Sequence, residues 1–91
     1  MITVTDYWAP WCGPCNMLMP TIEKLAEEYN VPDSEVQIKK VNVEEDPEAA
    51  AKSGIRSIPT IVFEKDGVEV DRKSGILPHA KIKELIENLK A

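Results

Sequence analysis

Two cysteines, the only ones in the chain, lie one helical turn apart in Trp11-Cys12-Gly13-Pro14-Cys15. Residues at this spacing meet on one face of a helix, so the two sulfurs can make and break a bond with each other. The pair also falls where a strand-like run gives way to a helix-like one. Unpartnered N–H groups and the positive end of the helix dipole favour a thiolate there, at Cys12. Such a pair suits thiol-disulfide exchange, in which one thiolate attacks a disulfide and the neighbouring thiol resolves the mixed disulfide. Lowering the Cys12 pKa from about 8.5 to about 7 raises its thiolate fraction at neutral pH about 15-fold, while its nucleophilicity falls about 5-fold. The net gain is about 3-fold, so substrate docking and the intramolecular second step must supply more of the rate.

Two blander readings compete. A stapling disulfide over so short a loop contributes about 2 kcal/mol by chain entropy, and a staple would join distant segments instead. Structural zinc needs about four ligands. Beyond the cysteines this chain offers one histidine, His79, in the polar start of the last helix, where it reads as solvated. No metal is expected, and no cofactor beyond the redox-active pair itself.

Asp6 is the single charged side chain in residues 1–22 and occurs six residues before Cys12. A carboxylate in apolar surroundings has a raised pKa and can move protons near neutrality; one at a strand end simply reaches water. Lys40, on the apolar row of the adjacent strand, can pair with Asp6 or extend its stem toward solvent.

Periodicity indicates which elements carry these groups. Residues 2–8 alternate and are β-branched or aromatic, which predicts a strand with Ile2, Val4, Asp6 and Trp8 on one face. Leu18, Ile22, Leu25, Ala26 and Tyr29 form the stripe of a helix over 13–29, kinked at Pro20. A second strand is expected over 36–43, and Asp46-Pro47 starts a short helix that Gly54 ends. Strands at 60–64 and 68–73 flank the Asp66-Gly67 turn. Ile82, Leu85, Ile86 and Leu89 mark a last helix, with Leu77 at its cap and Pro78 near its first turn. The order β-α-β-α-β-β-α predicts an α/β fold, a four-stranded mixed sheet with three helices, in a single domain over 1–91.

Net charge is −5, with sixteen acids outnumbering eleven scattered Lys and Arg, which disfavours nucleic acid and anionic membranes as partners. No apolar run approaches membrane-spanning length, and the N-terminus does not read as a signal peptide, so the cytoplasm is the expected compartment.

With these residues in place, the chain resembles the thioredoxin family, itself the usual example of this cysteine motif. The resemblance rests on Asp6-Tyr7-Trp8-Ala9, the Trp11 to Cys15 motif, Pro20, Lys40-Val41-Asn42-Val43, Gly54 through Thr60, Gly67 and Gly75. It implies a thioredoxin-like fold, an exposed nucleophile Cys12, a resolving Cys15, and a buried proton-transfer carboxylate Asp6 with its partner Lys40. It also implies a cis Pro59 beside the sulfurs and a flat apolar docking surface formed by Trp11, Gly13, Pro14, Ile58, Pro59 and Gly75. Pro10, Asn16 and Ser74 differ from common family choices. Members normally begin with an extra strand and helix, so this resembles a short form, and polar Thr3, Thr5, Gln37 and Lys39 suit a sheet face left uncovered.

The implied activity is general protein disulfide reduction by a monomer that is itself reduced by a separate, thioredoxin-reductase-type donor, with roles in electron transport and redox homeostasis. Gly-Pro between the cysteines favours this over oxidase and isomerase relatives, which carry histidine there. A glutathione-linked enzyme of glutaredoxin type and a non-redox binding subunit are the alternatives.

Overall fold

The computed structural model describes residues 1–90, which form β1 (Ile2–Trp8), α1 (Gly13–Tyr29), β2 (Val36–Asn42), α2 (Pro47–Lys52), β3 (Thr60–Lys65), β4 (Val68–Ser74) and α3 (His79–Lys90). The four strands make one sheet in the order β2-β1-β3-β4. β1 runs parallel to β2, from Ile2 opposite Val36 to Trp8 opposite Asn42, and antiparallel to β3. The expected α/β architecture and element order are therefore present.

Lying inside the sheet, β1 carries the chain straight to the cysteines and needs apolar partners on both sides. The α1 stripe of Leu18, Ile22, Leu25 and Tyr29 packs on Ile2, Val4, Ile38, Ile61 and Phe63, and Ile82 and Ile86 of α3 complete this core. Each fully buried aliphatic side chain of this kind contributes about 1.5–3 kcal/mol. α1 continues through Pro20, which is exposed. Asp66 and Gly67 both have positive φ, 52° and 84°, the combination that a tight hairpin between β3 and β4 requires.

Several expectations need correction. α3 starts later than Leu77 at the cap implied: the Pro78 carbonyl accepts from the N–H groups of Lys81 and Ile82, and Leu77 packs against the core. His79 is not merely solvated, because its ring pairs with Glu28 of α1, which also holds Lys83 at 3.0 Å. The glycine stop of α2, by contrast, is as expected: Gly54 follows the Ser53 cap at φ 65°, its N–H donating to the Ala51 carbonyl at 3.1 Å and the Ile55 N–H to the Ala50 carbonyl at 3.0 Å. β2 ends one residue early because the Asn42 side chain accepts the Glu44 N–H and turns the chain. The sheet face opposite α1 is not uniformly bare either. Gln37 and Lys39 on the outer strand are exposed, but Thr5, Tyr7 and Val62 on the inner strands are buried. The Tyr7 hydroxyl meets Ser53 Oγ at 2.8 Å just beyond α2. No helix among the described residues is long and apolar enough to cross a membrane.

Candidate functional site

Cys12 is the N-cap of α1, with extended backbone, and its Sγ accepts the Cys15 N–H at 3.2 Å. Pro14 lies in the first turn, where its missing N–H costs nothing. That turn carries no acidic side chain, so no carboxylate within it opposes the pull of the helix terminus on a Cys12 thiolate. The turn before the helix is braced by Cys12 N–H donating to the Ala9 carbonyl at 3.1 Å and by Asn16 Nδ2 donating to the Pro10 carbonyl at 3.1 Å.

The two sulfurs are joined in a disulfide, with Cα atoms 5.2 Å apart. Cys12 is 6% exposed and Cys15 0%, so both are buried, only Cys12 keeps an opening to solvent, and the exposed nucleophile that the resemblance implied is nearly covered. Cys12 Sγ lies 3.8 Å from the Ile58 carbonyl oxygen, and the Ile58-Pro59 bond is cis. A disulfide sulfur has no hydrogen to donate, so this is contact rather than hydrogen bonding, and it sets the Ile58-Pro59 segment beside the sulfurs.

Asp6 sits in mid-strand at 1% exposure, and neither carboxylate oxygen has a hydrogen-bond partner among the described residues. Desolvation raises its pKa from 3.8 to about 7, partly offset by the positive charge of Lys40. Lys40 is its register partner across the β1–β2 ladder. Its side chain is exposed, however, and among the described ion pairs there is none to Asp6, so the charge acts without direct contact. The Trp8 indole N–H, on the same β1 face, is also buried and unpaired.

Trp11, at 68% exposure, stands beside exposed Gly13 and Pro14. Ile58 and Gly75 are half-buried and Pro59 is buried, so Pro59 supports the expected surface more than it forms it. The Gly75 N–H donates to the Pro59 carbonyl at 2.9 Å, tying two loops together, and its φ of 87° suits glycine. A cavity of about 210 Å³ joins Trp11 to Ile58 through Val43, Ile55 and Arg56. The expected docking surface did not include these last three, although they lie in the Lys40–Val43 and Gly54–Thr60 segments on which the resemblance rests. Among the described residues no cluster of His, Cys, Asp or Glu is placed to hold a metal.

Comparison with known proteins agrees with this geometry. A family model described as Thioredoxin matches residues 1–88. The chain is 45% identical over 84 residues to "Thioredoxin M-type, chloroplastic" of Pisum sativum, covering 92% of this chain and 47% of that one. It is 39% identical over 84 residues to "Thioredoxin 1" of Nostoc, covering 92% and 76%. The chain thus spans under half of the pea protein and about three quarters of the Nostoc one. The crystal structure of Fasciola hepatica thioredoxin is similar, with a TM-score of 0.82 and 45% identity over 96% of this chain and 79% of that one.

Proposed function

The chain belongs to the thioredoxin family of thiol-disulfide oxidoreductases, and on that footing we propose that it is a general protein-disulfide reductase kept reduced by a separate, thioredoxin-reductase-type donor. The Cys12 thiolate attacks one sulfur of a target disulfide, forming a mixed disulfide and releasing the other target sulfur as a thiolate. Cys15 then loses its proton and attacks Cys12 Sγ, closing the Cys12–Cys15 bond and freeing the second target thiolate. Two electrons pass from the dithiol to the target, and the donor returns them.

The observation that carries this reading is the Cys12 sulfur at the N-terminus of α1, bonded to Cys15, with no acidic side chain in the first turn of that helix. Asp6 is the group proposed to take the Cys15 proton, supported by a pKa raised to about 7, close to neutrality. Lys40 serves as the nearby positive charge that offsets part of the rise that burial imposes on the Asp6 pKa. Targets dock on Trp11, Gly13, Pro14, Ile58 and Gly75 with Pro59 beneath, a largely apolar patch suited to many protein sequences. We further propose that the chain acts as a monomer, without nucleic-acid or membrane partners, in a reducing compartment such as the cytoplasm. No observation favours the glutathione-linked or non-redox alternatives.

Insulin reduction coupled to a panel of thioredoxin-type reductases tests the proposal. Turnover with such a reductase and none with glutathione as sole reductant is expected; turnover with glutathione alone would contradict it.

A further inference from the structure

β2 is an outer strand of the sheet. The Glu35 carbonyl accepts the Ile2 N–H at 2.7 Å, and the Val43 N–H donates to the Trp8 carbonyl at 2.9 Å, so odd-numbered residues bond toward β1. Alternation along a parallel ladder then turns the backbone groups of Val36, Ile38, Lys40 and Asn42 outward. Such a row is a template for another strand.

Here the row is filled from within the chain. Asn30 Oδ1 accepts the Ile38 N–H at 2.7 Å, and Asn30 Nδ2 donates to the Ile38 carbonyl at 3.0 Å. One amide thus supplies the acceptor and donor that a neighbouring strand would offer. Ser34 Oγ does the same at Val36, accepting from its N–H at 3.1 Å and donating to its carbonyl at 3.0 Å. The Asn42 carbonyl accepts from Glu45 and Asp46 at 3.1 and 2.9 Å. Asn30 is itself held at the end of α1 by its N–H bond to the Ala26 carbonyl. Lys40 is left as the open position, and its side chain is exposed.

The opposite edge is treated differently. Between Phe63 opposite Asp71 and Glu64 opposite Glu69, the register skips Val70, a bulge that twists β4 away from regular pairing. β2 has no such bulge, and its register with β1 is continuous over its whole length. Its protection has to come from side chains.

We propose that Asn30 and Ser34 close the β2 edge against a second copy of this chain and thereby keep the protein monomeric. A two-fold dimer through β2 pairs the strands antiparallel, centred near Ile38, Lys39 or Lys40. Each of these registers needs the Ile38 backbone groups that Asn30 occupies. The last also sets Lys40 opposite its own symmetry mate, where like charges repel. The caps are intramolecular, so their effective concentration exceeds that of a second chain. This inference deepens the monomeric state proposed above and is independent of the redox reading, because its readout is association rather than turnover.

Sedimentation velocity of wild type and Asn30→Ala/Ser34→Ala is the test. Wild type is expected to remain monomeric, and the double variant to form dimers with a dissociation constant at least about tenfold lower. A folded double variant that stays monomeric over the same concentrations, or a dimeric wild type, overturns the proposal. Should the double variant fail to fold, amide exchange of wild type decides. The capped Ile38 N–H must exchange at least about tenfold more slowly than the open Lys40 N–H, and equal rates overturn the closure.

Discussion

Replacing Asp6 with Asn removes a buried charge at nearly constant shape, and the effect on stability should depend on pH in a calculable way. Raising the carboxyl from 3.8 to about 7 corresponds to about 4 kcal/mol at 1.36 kcal/mol per pH unit. The folded state of the wild type holds the proton more tightly than the unfolded chain, so its stability falls as pH rises from about 4 to about 7 and is level above that. At pH 8 the wild type carries the whole penalty and Asp6→Asn carries none. The new amide leaves unpaired groups in the same dry site at a cost of about 1–3 kcal/mol, so a net gain of about 1–3 kcal/mol is expected at that pH. At pH 5 the folded wild type is protonated, and the advantage of the variant shrinks by about 3 kcal/mol. That difference between the two pH values is the cleaner quantity, because the cost of the amide and all other titrations cancel from it. Urea unfolding of both oxidised proteins at pH 5 and pH 8, followed by circular dichroism, measures it directly. Equal stability differences at the two pH values would refute the reasoning and place Asp6 in contact with water.

After reduction and brief treatment with limiting iodoacetamide, mass mapping should find label on Cys12 ahead of Cys15, which is fully buried within the first turn of α1; label mainly on Cys15 would reverse the roles. Lys40→Met should move the Asp6 titration above about 7, because the ammonium is the charge that lowers it. Carbon-13 carboxyl shifts against pH would show this, and an unmoved midpoint would mean that the charge does not reach Asp6. Leu18→Ala, at a fully buried position on the α1 stripe, should cost about 2–5 kcal/mol in urea unfolding, and a cost below that range would place Leu18 outside the core.

The features that the sequence displayed are those set by neighbours in the chain. The cysteine pair, the Asp46-Pro47 helix start and the Asp66-Gly67 turn each depend on a few adjacent residues, and all stand where local chemistry puts them. The register of Asp6 with Lys40 followed from aligning two parallel strands by their apolar faces. What local pattern misled about depends on distant packing. Thr5 looked like surface because threonine is polar, yet a strand with neighbours on both sides buries it whatever its type. Leu77 was a weak cap, and the core takes it as an apolar contact instead. The groove between Trp11 and Ile58 draws Val43 and Ile55 from either side of α2, a juxtaposition with no short-range signature. Asn30 and Ser34 likewise read as loop residues until the strand register shows which backbone groups face outward.

The division of labour between the two sulfurs is the central claim, and trapping tests it most directly. Cys15→Ser leaves the attacking sulfur at the helix terminus and removes the resolving one, so the mixed disulfide forms and cannot be released. Affinity pull-down of each single variant from cell extract, compared on non-reducing and reducing gels, reads the outcome. Cys15→Ser should accumulate disulfide-linked target proteins through Cys12, and Cys12→Ser should trap almost none, because Cys15 is fully buried. Equal trapping by both variants, or none by Cys15→Ser, would contradict it.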